Sequence, residues 1–295
     1  MTVNFVSTAA INQRTERNIN DVLTQRNEAG RQIQTEKKFE NIYDASASEA
    51  NDMVNIQESI DVQKKEVEIL QKGFRRANEM SDSLADMGKY LKSELADWQK
   101  SASGAMSDDF TQERQVDFAE RLLKGMEGFL NKKSIYDGTY LFSGENMDTK
   151  PVSLSGNVDA DKYYLGSKHN ISFAYGDNQI KLDFNAGDSS VRKIVELFVG
   201  VKNNSAGNKD DVFVKFDECV ENLVGAKERV DSKSKELKQF SDIQTVNLEQ
   251  SAKSYNDIAK IDEHVGYMKL SQISKRLSEI YSSIGALSKG LVDYL

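Results

Sequence analysis

Proline, cysteine and histidine are scarce in this sequence, and each scarcity excludes something. One proline and 18 glycines in 295 residues leave little to break a helix, so long uninterrupted helices are allowed and collagen-like or proline-rich disorder is not. The single Cys219 in FDECVENL cannot close an internal disulfide and reads as a packed thiol on a helix. The two histidines, His169 and His264, have no Cys or His at ligand spacing, so no metal site is expected. There is no HExxH, no G-x-S-x-G and no phosphate-binding Gly-Lys-Ser/Thr loop, so neither a cofactor nor catalysis is expected.

Other absences concern partners. No stretch approaches eighteen apolar residues, so membrane insertion is not expected. The N-terminus lacks a basic stretch followed by an apolar core, so a cleavable secretory signal is not expected either. The net charge of -8 comes from interspersed acids and bases; with no broad basic face, nucleic acid is excluded as a partner.

What is present is a heptad pattern. Met53, Ile56, Ile60, Gln63, Val67, Leu70, Phe74, Ala77, Ser81, Leu84, Gly88, Leu91, Leu95 and Trp98 advance in alternating steps of three and four. Eleven of these fourteen are apolar, which predicts a long helix with one stripe against a partner helix. A second run, Leu270, Ile273, Leu277, Ile280, Ile284, Leu287, Leu291 and Tyr294, is wholly apolar or aromatic and requires a partner within the chain or in a neighbouring copy. A third helical stretch, from about Asp211 to Tyr255, carries Phe213, Phe216, Val220, Leu223, Val230 and Leu237 on one stripe and then turns polar at Ser241, Gln244 and Ser251. In the first forty residues Ile11, Ile19, Val22 and Ile33 stand among polar side chains, a pattern expected to be frayed or partly disordered outside an assembly.

Between about Ile135 and Ser190 the period changes to two. YYLGSKHNISFAYGDNQIKLDF alternates apolar and polar residues, and Tyr175-Gly176-Asp177-Asn178 reads as a hairpin turn. A short helix is predicted from Val191, and Asp210 or Asp211 would cap the helix after it. Asp108 and Asp109 also read as boundary carboxylates. Tyr136, Tyr140, Phe142, Tyr163 and Tyr164 allow a stacking platform or a β-domain core; strand packing favours the core.

The predicted fold is mainly α with a β-rich insert, its N- and C-terminal helices paired as an elongated coiled-coil bundle around a small β-domain. Four parts are expected: an N-terminal segment at 1–45, helical residues 46–134, a β-rich insert at 135–205 and helical residues 206–295.

Three segments resemble the bacterial flagellin family. The first is TEKKFENIYDA at 35–45, where Glu36 stands in place of the family's Gly and Lys38 in place of its Arg. The second is NKKSIYDGTYLFSG at 131–144 with Pro151 shortly after, and the third is IAKID at 258–262 leading into the heptads that end in LVDYL. The resemblance implies a non-enzymatic structural subunit of the flagellum, exported without a cleavable signal to an extracellular location. It is most similar to the hook-filament junction subunit, hook-associated protein 3; the filament subunit flagellin is the alternative. A coiled-coil translocator or tip protein of a virulence type III secretion system is the alternative of another class. The partners implied are further copies in a helical homo-oligomer, other flagellar axial proteins (a hook-associated protein or flagellin) and an export chaperone. The expected assembly and packing residues are Ile56, Ile60, Val67, Leu70, Phe74, Leu84, Leu91 and Leu95, with Leu270, Ile273, Leu277, Ile280, Ile284, Leu287, Leu291 and Tyr294.

Overall fold

A computed structural model describes residues 8–103, 112–206 and 209–292. Its elements run α1 (Thr8–Thr35), a 3-10 turn (Ile42–Asp44), α2 (Ala47–Ser103), α3 (Gln112–Leu130), β1 (Ser172–Tyr175), β2 (Asn178–Lys181), α4 (Ser189–Lys202), α5 (Lys209–Ala259) and α6 (Glu263–Val292). The fold is mainly α with a small β insert, as the periodicities predict. Asp108, Asp109 and Tyr294 lie outside the described residues, as do the side chains of Ile11, Leu287 and Leu291.

Helix ends follow local chemistry. Ser46 and Glu49 form a capping box at the start of α2: the Glu49 amide donates to Ser46 Oγ at 3.3 Å and the Ser46 amide to Glu49 Oε2 at 3.2 Å. Asp188 caps α4 by accepting from the Ser190 amide at 2.9 Å. The break between α5 and α6 needs no proline; Asp262 accepts from the Val265 amide at 3.2 Å and starts the next helix. Asp210 and Asp211, expected as caps, instead lie inside the first turn of α5, where carboxylates still oppose the positive helix end.

The chain divides into two compact units. The terminal unit comprises Met1–Asp61 and Leu248–Leu295, and the central unit Val62–Asn247. In the terminal unit α1 and α6 pack antiparallel around Val22, Ala29 and Ile273, with Leu270, Leu277 and Ile280 against them. In the central unit α2 and α5 run antiparallel: Asn78 meets Ser234 at 2.5 Å, and Ser81 bonds Asp231. The aromatic centre of this unit is Trp98, stacked on Phe118 at 4.5 Å and edge-on to Phe213 at 4.9 Å.

Regular β structure among the described residues is one antiparallel hairpin, with Tyr175 paired to Asn178. Gly176 at its tip has φ +50, the left-handed conformation that glycine adopts at the first central position of such turns. Between α3 and β1 the chain is turns joined by isolated bridges, Lys133 to Tyr140 and Val152 to Tyr164. Side chains do part of the work of strands there: Asn131 donates to the Val152 carbonyl at 3.0 Å and accepts from its amide at 3.1 Å.

Candidate assembly surface

The predicted seam of α2 is inward. Ile60, Leu70, Leu84, Leu91 and Leu95 are buried, and Ile56, Val67 and Phe74 are half-buried. On α6, Ile273 is buried while Leu270, Leu277, Ile280 and Ile284 remain half-buried. The C-terminal stripe thus meets α1 yet keeps part of its area in water. Val265, Tyr267, Met268 and Tyr281 on the same helix are exposed, which periodicity alone did not single out because they fall off the main stripe. This exposed set, together with the half-buried stripe, gives α6 an apolar surface that α1 does not cover.

The corner between α1 and α2 is tied to the corner between α5 and α6, all within the terminal unit. The Lys38 amide donates to the Ala259 carbonyl at 2.7 Å and the Ile261 amide to the Glu36 carbonyl at 3.2 Å. Glu36 sits at φ +56, so a residue with a Cβ occupies a conformation that costs roughly 1–2 kcal/mol. The position where the sequence departs from the family's glycine is therefore one whose geometry favours glycine. Lys38 bonds Glu49, and this partner together with Ser46 holds the Glu49 carboxyl down at about 2.

In the central unit the segment 131–144 is a fixed turn. Arg76, only 4% exposed, donates from α2 to Thr139 Oγ1 at 2.8 Å, to the Leu141 carbonyl at 3.2 Å and to the Tyr140 carbonyl. Burial lowers its pKa, opposed by Asp137 and Glu79. Sequence reasoning missed Arg76; its only signal was a basic residue wedged between seam positions Phe74 and Ala77. Asp137 closes the turn by accepting from the Thr139 amide at 2.9 Å, and Gly144 at φ +66 has no room for a Cβ beside the carbonyls of His169 and Ser167. Phe142 and Tyr163 belong to the core, but Tyr136 does not: it is exposed at the tip of this turn, where backbone bonds rather than packing fix its place.

Glu127 staples the next loop. Burial opposes its charge, yet Lys150 at 2.7 Å, Ser155 at 2.6 Å and the Leu154 amide at 3.2 Å outweigh it and hold the carboxyl below its ordinary range. Cys219 is buried, and desolvation pushes its thiol up. It lines a cavity of about 430 Å³ with Lys193, Glu196, Lys215 and Glu218. Among the described residues no cluster of three His, Cys, Asp or Glu side chains could hold a metal ion, and no helix is long and apolar enough to cross a membrane.

No protein-family model and no curated protein sequence matches this chain. Among solved structures, the fold is similar to a protein assigned as a flagellar hook-associated protein of Vibrio parahaemolyticus: TM-score 0.53, 15% identity, 72% of this chain and 99% of that one. A Bacillus cereus FlgL structure aligns over 70% of this chain and 100% of its own, at TM-score 0.43 and 13% identity. At 15% identity the first likeness is one of fold alone.

Proposed function

We propose that this chain is a structural, non-enzymatic subunit of the bacterial flagellum, and within it the hook-filament junction subunit. The observation that carries this reading is the terminal helix pair: among the described residues α1 and α6 bury Val22, Ala29 and Ile273 between them and leave Val265, Tyr267, Met268 and Tyr281 in water. The fold likeness to an assigned hook-associated protein and the segment at 131–144 favour the flagellum over other assemblies.

The mechanism is incorporation. Burying the exposed and half-buried apolar area of α6 against neighbouring copies releases about 25 cal/mol per Å², which offsets the ordering of long helices whose own core is small. Head-to-tail contacts of this kind build open helical assemblies. The partners in this reading are further copies, adjoining hook-associated or filament subunits and an export chaperone, and the working location is outside the cell.

Electron microscopy of cells lacking the protein, with an assay for flagellin in the medium, tests this. Hooks without filaments and shed flagellin are expected. Missing filaments without shed monomer would make the chain the filament subunit instead, and intact filaments would overturn both.

A further inference from the structure

We propose that successive copies dock through the central unit, a cationic aromatic knob at Ile135 and Tyr136 on one copy seating on an acidic, valine-bearing stripe of α5 on the next. This deepens the polymer reading above and rests on it.

The knob is apolar where a turn tip is ordinarily polar. Ile135 is 80% exposed and Tyr136 61%. The turn is held rigid: the Ile135 amide donates to Glu79 Oε1 at 2.9 Å, the Tyr136 amide to Ser134 Oγ at 3.2 Å and the Gly138 amide to the Ser134 carbonyl at 3.0 Å. The Arg75 guanidinium lies 5.4 Å from the Tyr136 ring centre and Lys133 Nζ 4.7 Å from that of Tyr140. Arg75, Lys132 and Lys133 are exposed and enter no ion pair among the described residues. A rigid Tyr beside Arg is the composition that anchors interfaces, and rigidity lowers the ordering cost of docking.

The complementary face lies on the outside of α5. Asp210, Val214, Asp217, Glu221, Val224 and Glu228 recur in steps of four and three, opposite the buried Phe216, Val220, Leu223 and Val230. Val214 is 61% exposed and Val224 40%. The four carboxylates are exposed and unpaired with any cation among the described residues, while the bases flanking Glu228 are occupied, Lys227 by Asp231 and Arg229 by Asp188. A helix N-terminus accounts for Asp210, but Asp217, Glu221 and Glu228 lie beyond its first turn.

The knob cannot reach the stripe of its own copy. Because Asp231 meets Ser81, Glu228 at the near end of the stripe stands level with Leu84, roughly 14 Å along the helix axis from Arg75, and Glu221 level with Leu91, roughly 24 Å away at 1.5 Å per residue. Two complementary faces at different levels suit a heterologous contact, which builds an open helix where the rotation between copies does not close a ring. The occupant is set by charge: copies carrying -8 overall repel one another except where a cationic patch meets an acidic one.

The test uses the full-length chain in flagellated cells, with Tyr136→Cys and Val224→Cys introduced together in a Cys219→Ala background. Oxidation of sheared appendages should yield a ladder of cross-linked copies on gels. Arg75→Glu with Lys133→Glu should weaken the ladder about tenfold, and adding Asp217→Lys with Glu221→Lys should restore it. If the cysteines disturb the contact, incorporation of the charge-swapped chains without them decides. Normal incorporation of the reversed knob, together with no ladder from the double-cysteine chain whose knob charges are intact, overturns this docking and leaves the polymer reading standing. Absence of the unaltered chain from appendages overturns both.

Discussion

Among the described residues, 38 buried side chains of the central unit join into one core, whereas the cluster between α1 and α6 in the terminal unit contains Val22, Ala29 and Ile273. Both regions are built from long amphipathic helices, so helical pattern does not explain the difference. A third layer does. The central unit folds α3, α4 and the insert over α2 and α5, and Phe142, Phe184, Phe198 and Phe216 become fully enclosed. A lone helix pair has no such cover, and Leu270, Leu277, Ile280 and Ile284 stay half-buried. The contrast separates a region that is stable by its own burial from one whose stripe is still available to a neighbour.

The comparison can be broken most directly at Phe142. Phe142→Ala should cost about 4 kcal/mol in denaturant unfolding followed by Trp98 fluorescence, a probe inside the same core, without altering hydrogen exchange in α1 and α6. Arg76→Met should cost about 3 kcal/mol by the same probe, because three acceptors of the 139–141 turn lose a buried charged donor. Arg76→Lys should recover little of it, since an ammonium cannot span those acceptors.

In the terminal unit Ile273→Ala should cost about 2 kcal/mol, the low end for such a change, because a two-helix contact can partly collapse. It should appear as faster amide exchange in α1 and α6 with Trp98 unfolding unchanged. Glu36→Gly should stabilise the terminal unit by about 1 kcal/mol, the left-handed strain relieved less the freedom glycine adds to the unfolded chain; slower exchange at Lys38 and Ile261 is the readout. The smallest effect is with pH. The Glu49 carboxyl is lowered from 4.5 to about 2, so its charged form is favoured by folding. Its contribution is present above pH 4.5 and is lost as pH falls toward 2. Exchange near the start of α2 should accelerate across that window, and Glu49→Gln should flatten the response.

Much of this was legible in advance. The heptad steps from Met53 to Trp98 located α2 and its buried side, and Tyr175-Gly176-Asp177-Asn178 located the hairpin to the residue, because both signals are local. The insert was legible as extended but not as turns, since its order comes from side-chain bonds such as Asn131 to Val152 that no period encodes. Arg76 was invisible because a helical arginine reads as solvated until a distant segment is laid over it. The outward face of Asp217, Glu221 and Val224 was overlooked for the opposite reason: only knowing which side of α5 is buried shows what remains outside.

By itself the sequence determined the helical class, the stripes that must be covered and the turn residues, because these depend on backbone conformation and period within a few residues of chain. Only the tertiary structure decided which stripe is enclosed and which is half-open, that Glu36 bears left-handed strain, and that Tyr136 points to water while Phe142 six residues on is sealed in the core. Those outcomes depend on contacts between residues far apart in the chain, and no local pattern carries them.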